Sequence, residues 1–76
     1  MQRKENEVLI SKIEASGHKY RPGEIRTLIG LEDFSEYNGE EVEITAIRKD
    51  GEYGKAYYVK GRINEVLNWV YEYRLM

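Results

Sequence analysis

The side chains that most often perform acid–base or nucleophilic chemistry are few in this sequence. His18 is its only histidine, and there is no cysteine. A nucleophile–base pair would therefore need Ser11, Ser16 or Ser35 beside that single imidazole. Because His18 follows Gly17 at the expected end of a helix, we predict a solvated residue rather than a catalytic base. We accordingly predict no enzymatic activity and no catalytic residue.

Acidic residues are concentrated between Leu31 and Thr45, a stretch that contains no Lys or Arg. They are Glu32, Asp33, Glu36, Glu40, Glu41 and Glu43. Carboxylate oxygens suit Ca²⁺ or Mg²⁺, but these acids lack the regular spacing of a calcium loop. We therefore predict a solvated acidic surface, with no metal and no cofactor. Gly51 and Gly54 are predicted to be turn glycines, since no Gly-Lys-Ser/Thr of a phosphate loop follows them.

Nine aromatic residues in a chain of 76 are the feature that most favours a binding role. Tyrosine and tryptophan are enriched in binding hot spots, but they also fill the cores of small barrels. Strand alternation directs one of each neighbouring pair, such as Tyr57 and Tyr58, inward and the other outward. Aromatic residues in predicted loops are the best surface candidates. With two acids of the same region, the predicted partner-binding residues are Phe34, Tyr37, Glu40, Glu41 and Tyr53.

Length and composition indicate one small soluble domain, since 76 residues are 41% hydrophobic and 34% charged. The longest apolar run is Val8 to Ile10, far short of the roughly 20 residues that a membrane-spanning helix needs. The N-terminus lacks the apolar region of a secretory signal. Together with the absence of cysteine, this predicts a cytoplasmic location. The small size and lack of targeting suggest a bacterial or phage accessory protein.

The first segment, from Gln2 to Ser16, predicts a short amphipathic helix. Leu9, Ile10 and Ile13 have helical spacing, and Gly17 is expected at the C-terminal cap with a positive φ. A strand from Val8 to Ile13 is the alternative that the same pattern leaves open.

The rest of the chain predicts strands separated by turns. Glu24 to Ile29 follows the Pro22-Gly23 break, and Glu40 to Lys49 alternates with period two. Ile47 falls out of phase, which predicts either a bulge near Ala46 or a strand end that changes face. Lys55 to Lys60 is the returning strand of a hairpin. Asn38-Gly39, Asp50-Gly51 and Gly54 supply the turns. The segment from Ile63 to Leu75 is compatible with helix or strand, and the alternation of Leu67, Trp69, Tyr71, Tyr73 and Leu75 favours mainly strand.

From about Tyr20 onward, this order of features resembles the small SH3-like barrels, including bacterial KOW-type modules. The resemblance rests on Pro22 to Arg26, Tyr37-Asn38-Gly39, Asp50 to Gly54, Tyr57-Tyr58-Val59 and Trp69 to Leu75. It implies a mainly β fold, a five-stranded SH3-like barrel over residues 20–76. The helix predicted from the spacing of apolar residues adds an N-terminal helical extension over residues 1–17. It also implies a one-turn 3₁₀ helix near Val70 to Tyr73. The opening motif, paired tryptophan and late proline of eukaryotic signalling SH3 domains are missing, so their proline-rich ligand is not implied.

Two functions of different classes are compatible with this sequence. The first is a non-enzymatic protein-interaction module, monomeric or weakly dimeric, whose partner presents a basic surface to the acidic loop. The alternative is a KOW-type nucleic-acid-binding barrel, which requires the basic residues to converge on one face, away from the acids. Those basic residues are Lys19, Arg21, Arg26, Arg48, Lys49, Lys55, Lys60 and Arg62.

Overall fold

The computed structural model describes residues 17–76 and shows a small, mainly β fold. The predicted helix over residues 1–17 and its alternative, a strand from Val8 to Ile13, lie outside the described residues except for Gly17. Gly17 has a φ of 75°, the left-handed conformation expected of it. Residues 17–76 contain no α-helix.

Four strands and three short 3₁₀ turns make up the described part of the chain. The strands are β1 (Ile25–Thr27), β2 (Glu41–Gly51), β3 (Gly54–Lys60) and β4 (Trp69–Tyr71). The 3₁₀ turns are Ser35–Tyr37, Arg62–Glu65 and Glu72–Arg74. The predicted strands near residues 24–29, 40–49 and 55–60 are therefore present, with the first reduced to three residues.

The strands form one antiparallel sheet in the order β1-β2-β3-β4, and the C-terminus curls back to β1. Leu28 and Leu75 form an isolated bridge, and Thr27 and Met76 exchange backbone hydrogen bonds of 3.1 and 2.9 Å. The result is a curled four-stranded sheet, or half-barrel. The predicted fifth strand is reduced to this bridge and its flanking hydrogen bonds.

Of the two alternatives predicted near Ala46, the bulge is confirmed, because the β2–β3 register shifts between Ile44 and Ala46. Before the shift, Val42 and Ile44 are buried; after it, Ile47 packs against the same core. The extra residue shifts the inward-facing positions of the strand by one, so that Ile47 faces the core. The alternation of the sequence therefore breaks at Ile47.

The closing segment is less extended than its alternation predicts. Only Trp69–Tyr71 forms a strand, and 3₁₀ turns precede and follow it. The Asn64 side chain holds the earlier turn: its Oδ1 accepts from the Gly61 N–H at 2.8 Å, and its Nδ2 donates to the Val59 carbonyl at 2.9 Å. These side-chain bonds compete with continued sheet pairing. The later turn, at Glu72–Arg74, lies slightly beyond the position that the resemblance implied.

A single core lies inside the curled sheet. Its buried side chains are Tyr20, Leu28, Tyr37, Val42, Ile44, Tyr57, Val59, Ile63, Val70 and Leu75. Every strand or its flanking residues contribute to this core, which consists of aliphatic residues and three tyrosines.

Candidate functional site

Most aromatic side chains lie outside the core of this protein. Six of the nine are not in the core cluster: Phe34, Tyr53, Tyr58, Trp69, Tyr71 and Tyr73. The predicted alternation of the Tyr57–Tyr58 pair is confirmed, since Tyr57 is fully buried and Tyr58 is 40% exposed. Six of the nine aromatic side chains therefore do not belong to the core cluster.

The β3–β4 register decides which face the closing aromatic residues occupy. Tyr58 is paired with Trp69, and Tyr57 is paired with Val70. Directly paired residues project from the same face of a sheet, so Trp69 shares the outer face with Tyr58, while Val70 enters the core. Tyr71, two residues after Trp69, lies on that outer face as well.

Tyr71 is the centre of an aromatic cluster on this face. Its ring packs edge-on against Trp69 at 5.0 Å between centroids and against Tyr53 at 6.0 Å. It is stacked on Tyr73 at 5.3 Å with an interplanar angle of 9°. Gly51 is needed beneath it, because a Cβ there would lie 2.7 Å from Tyr71 Cε1. Offset and edge-to-face pairs of this kind hold rings in defined orientations.

These rings form one wall of a concavity of about 300 Å³, which we call the aromatic groove. Its other wall is the loop segment of residues 31–34. The Asn38 side chain fixes this loop by accepting from the Leu31 N–H at 2.8 Å and donating to the Leu31 carbonyl at 3.0 Å. Phe34, 39% exposed, has a φ of 60°, a strained conformation for a bulky side chain. Such strain is concentrated at functional sites.

The rim of the aromatic groove is acidic. Glu32 and Asp33 line it and are exposed. Arg74 is its only described basic lining residue. The Arg74 guanidinium donates to the Gly30 carbonyl and lies 4.8 Å from the centre of the Tyr73 ring. The two carboxylates therefore face an approaching partner, while the arginine is engaged within the domain.

The predicted partner-binding residues fall into two groups in the structure. Phe34 and Tyr53 lie together in the aromatic groove. Tyr37, predicted in an exposed loop, is instead a buried core residue with 5% exposure. It is buried because its 3₁₀ turn folds the ring inward, where its hydroxyl donates to Glu65 Oε2 at 3.2 Å.

Glu40 and Glu41 lie near Tyr37 in the chain and are not groove-lining residues. Glu40 accepts hydrogen bonds from Arg62, with Nε at 3.0 Å from Oε2, and this pairing lowers the pKa of the Glu40 carboxyl. Glu41 is exposed at the start of β2, opposite Thr27.

Several of the basic residues proposed for nucleic-acid contact are engaged within the domain. Arg26 is ion-paired with Glu24 and lies 4.6 Å from the Tyr20 ring centre. Arg62 is ion-paired with Glu40.

The remaining proposed cations are distributed over more than one part of the surface. Arg48 lies 4.0 Å from the Trp69 ring centre and, with Lys49 and Tyr58, lines a second concavity. Lys60 is paired across the sheet with Glu43. The Lys19 Nζ lies 5.5 Å from the Tyr20 ring centre, and the Lys55 side chain lies beside Gly17. The backbone N–H of Arg21 donates to Glu24 at 2.5 Å.

A polar cluster at the C-terminal end of β4 anchors residues 18–20 to the sheet. The buried Tyr57 hydroxyl accepts from the Tyr20 N–H at 2.9 Å and donates to Glu72 Oε2 at 2.5 Å. The same carboxylate oxygen accepts from the Lys19 N–H at 2.9 Å. His18 is half-buried, with Nε2 at 3.1 Å from the Ala56 carbonyl and its ring edge-on to Tyr57. The prediction that His18 is solvated is therefore wrong.

Ionisation in this cluster follows from its contacts. Burial and the hydrogen bond to Glu72 raise the pKa of Tyr57 well above its usual value. Burial opposes ionisation of Glu72, but the hydrogen bonds from Tyr57 and Lys19 outweigh it and lower the pKa of that carboxyl. The cluster is thus a neutral phenol bound to a carboxylate, an arrangement that holds the chain in place.

Sequence reasoning missed Trp69, Tyr71 and Tyr73 as surface residues. Their strict alternation with Val70 and Arg74 was a usable signal for a two-faced segment. Alternation does not identify the buried face of a strand. Large aromatic side chains on one face suggest that this face is buried, whereas here Val70 on the opposite face enters the core.

Comparison of the chain with protein-family models, curated proteins and solved structures gives no significant match. Within residues 17–76, no group of three or more His, Cys, Asp or Glu side chains is arranged to hold a metal ion. That same part of the chain has no helix of the length and apolarity required to cross a membrane.

Proposed function

We propose that this protein is a non-enzymatic protein-interaction module that binds its partner in the aromatic groove. The observation that carries this proposal is the cluster of aromatic rings around Tyr71 that lies outside the core. Tyr53 and Tyr73 are 70% and 52% exposed, and neither belongs to the core cluster. Contiguous exposed apolar surface is costly in water and marks interaction sites in soluble proteins.

The partner is a protein segment of basic character. Glu32 and Asp33 place two negative charges on the groove rim against the single positive charge of Arg74, whose guanidinium is held by the Gly30 carbonyl. Complementary charge steers association and disfavours acidic competitors. Tyrosine and tryptophan rings beside these acids also bind cations through their π faces.

We further propose that the domain is a variant of the SH3-like barrel, the fold of the KOW-type modules that its sequence resembles. The return of the C-terminus to β1, and the 3₁₀ turn Glu72–Arg74 between β4 and that return, support this assignment. So does the long connection between β1 and β2, whose residues 31–34 form a groove wall. Small barrels have many roles, so the function rests on the groove and not on the fold.

Nucleic-acid binding remains the second candidate because Arg48 stacks on Trp69 beside Lys49 and Tyr58. Aromatic rings interleaved with cations are a common platform for single strands. The acids on the neighbouring rim oppose phosphate, so we rank this function below protein binding.

A pair of exposed tyrosines distinguishes the two functions. Tyr73 lines the aromatic groove and Tyr58 lines the second concavity beside Arg48. We expect Tyr73→Ala to weaken capture of a bacterial protein partner by about 10- to 30-fold, the loss typical of a binding hot spot. Tyr58→Ala serves as the matched control and is expected to retain capture.

The measurement is a pull-down with the tagged full chain, with and without nuclease, followed by titration of the recovered partner. Circular dichroism verifies that both variants fold. A partner that vanishes after nuclease, or whose binding depends on Tyr58 and not on Tyr73, would replace protein binding with the nucleic-acid function.

A further inference from the structure

The outer edge of β4 presents backbone groups that the sheet leaves unpaired. Val59 N–H donates to the Asn68 carbonyl at 3.1 Å, which makes these two residues a hydrogen-bonded pair of the β3–β4 ladder. In an antiparallel ladder, hydrogen-bonded and non-hydrogen-bonded pairs alternate. The Tyr58–Trp69 pair is therefore a non-hydrogen-bonded pair, and so is the Ala56–Tyr71 pair.

Residues in non-hydrogen-bonded pairs direct their backbone groups away from the neighbouring strand. The Trp69 N–H and carbonyl, and the Tyr71 N–H, consequently point out of the sheet at its β4 edge. Within residues 17–76, no strand is paired with that edge. The aromatic groove lies along it, between β4 and residues 31–34.

We propose that the occupant of the aromatic groove is an extended basic peptide segment that adds to the β4 edge as a further strand. This inference rests on the proposed function and specifies its partner and binding mode. Strand addition supplies acceptors and donors for the open backbone groups of Trp69 and Tyr71, which a helical or globular partner surface does not. An exposed strand edge is otherwise a liability for a small domain.

Charge and alternation define the peptide. Side chains of an added strand project alternately to the two faces of the sheet, so every second one lies beside the outer rings of Trp69 and Tyr71. Arg48 already lies over the Trp69 ring, and Tyr73 is stacked on Tyr71. Lys or Arg at these positions is therefore selected by Glu32 and Asp33 on the rim. The peptide thus has basic residues at alternate positions and β-forming residues between them.

The probe is a synthetic peptide of alternating Lys and Val, titrated calorimetrically into the full chain. Its controls are a Glu–Val peptide and a Lys–Val peptide with N-methylated backbone amides. We expect binding of the Lys–Val peptide only, with N-methylation weakening it about tenfold through loss of strand hydrogen bonds. Glu32→Gln should weaken binding severalfold, whereas Glu36→Gln, an exposed acid of the same loop outside the groove, should not.

Amide hydrogen exchange tests strand addition directly. The Trp69 and Tyr71 amides should exchange quickly in the free protein and become protected in the complex, while the Val70 amide, paired with Tyr57, is slow in both. Protection of Trp69 and Tyr71 without peptide would show an edge that is already covered and overturn the proposal.

The remaining outcomes separate this proposal from the proposed function. Equal binding of the N-methylated peptide, with unprotected edge amides, refutes strand addition but leaves the groove as the binding site. If the Lys–Val peptide does not bind, while binding of a natural partner still depends on Tyr73, the proposal of a basic extended ligand is refuted. The proposed function then stands. Preference for a single-stranded oligonucleotide over the peptide overturns both.

Discussion

Replacing Tyr57 by phenylalanine removes one oxygen atom from the anchor of residues 18–20. The Tyr57 hydroxyl accepts the Tyr20 N–H at 2.9 Å and donates to Glu72 at 2.5 Å. The variant therefore leaves a buried backbone N–H without its acceptor and a carboxylate without one of its donors. The ring itself stays in place, so packing changes little.

The magnitude follows from these two bonds. An unsatisfied buried donor costs about 1 to 3 kcal/mol, and a hydrogen bond to a charged group contributes about 1.5 to 3 kcal/mol. Glu72 is half-buried and retains the Lys19 N–H, so the second contribution is at its lower end. We expect Tyr57→Phe to lower the free energy of unfolding by about 2 to 4 kcal/mol. A loss of 2 kcal/mol corresponds to roughly 8 to 16 °C in Tm for a domain of this size.

The pH dependence gives a second, independent readout. Hydrogen bonds lower the pKa of folded Glu72, so its contribution to stability is present above the ordinary carboxyl pKa of about 4.3. That contribution is lost as the pH falls through the lowered value. Tyr57→Phe removes one of the hydrogen bonds that lower the Glu72 pKa. The difference in the free energy of unfolding between wild type and variant should therefore become smaller as the pH falls.

Urea unfolding, followed by circular dichroism between about pH 2 and pH 7, measures both effects. Tyr58→Phe is the matched control, since Tyr58 is the neighbouring tyrosine on the outer face and should change stability by less than about 0.5 kcal/mol. Equal stability of the two variants at neutral pH, or a difference that does not change with pH, would refute the role of the Tyr57–Glu72 hydrogen bond.

Three further substitutions probe the core and the groove. Ile44→Ala should cost about 2 to 5 kcal/mol in urea unfolding, because Ile44 is fully buried on the central strand β2. Tyr37→Ala should cost about 3 to 5 kcal/mol, as for a buried aromatic residue; a loss under about 1 kcal/mol would contradict its place in the core. Gly51→Ala should displace the Tyr71 ring, which lies 2.7 Å from the added Cβ, and change near-ultraviolet circular dichroism while far-ultraviolet signals persist. An unchanged near-ultraviolet spectrum would show that Tyr71 is not held against Gly51.

Local features of the fold were predictable because they depend on neighbouring residues. One residue out of phase indicated a bulge in β2 or a strand end that changes face, and the bulge is present. Gly39, with a φ of 91°, follows Asn38 in the predicted turn. The opposite faces of Tyr57 and Tyr58 followed from the pleat of a strand. The extent of the closing strand was not predictable in this way, since the Asn64 side chain, rather than propensity, shapes the chain before β4.

The candidate site shows the same division. The composition of the sequence alone predicted a domain rich in aromatic residues with an acidic loop. Its turn signals correctly predicted that Phe34 and Tyr53 lie in loops. Only the tertiary structure decided that Tyr37 is buried and that Trp69 and Tyr71 face outward. A period of two separates the faces of a strand without identifying the buried one, and that identity comes from pairing with a strand distant in sequence, here Tyr57 with Val70.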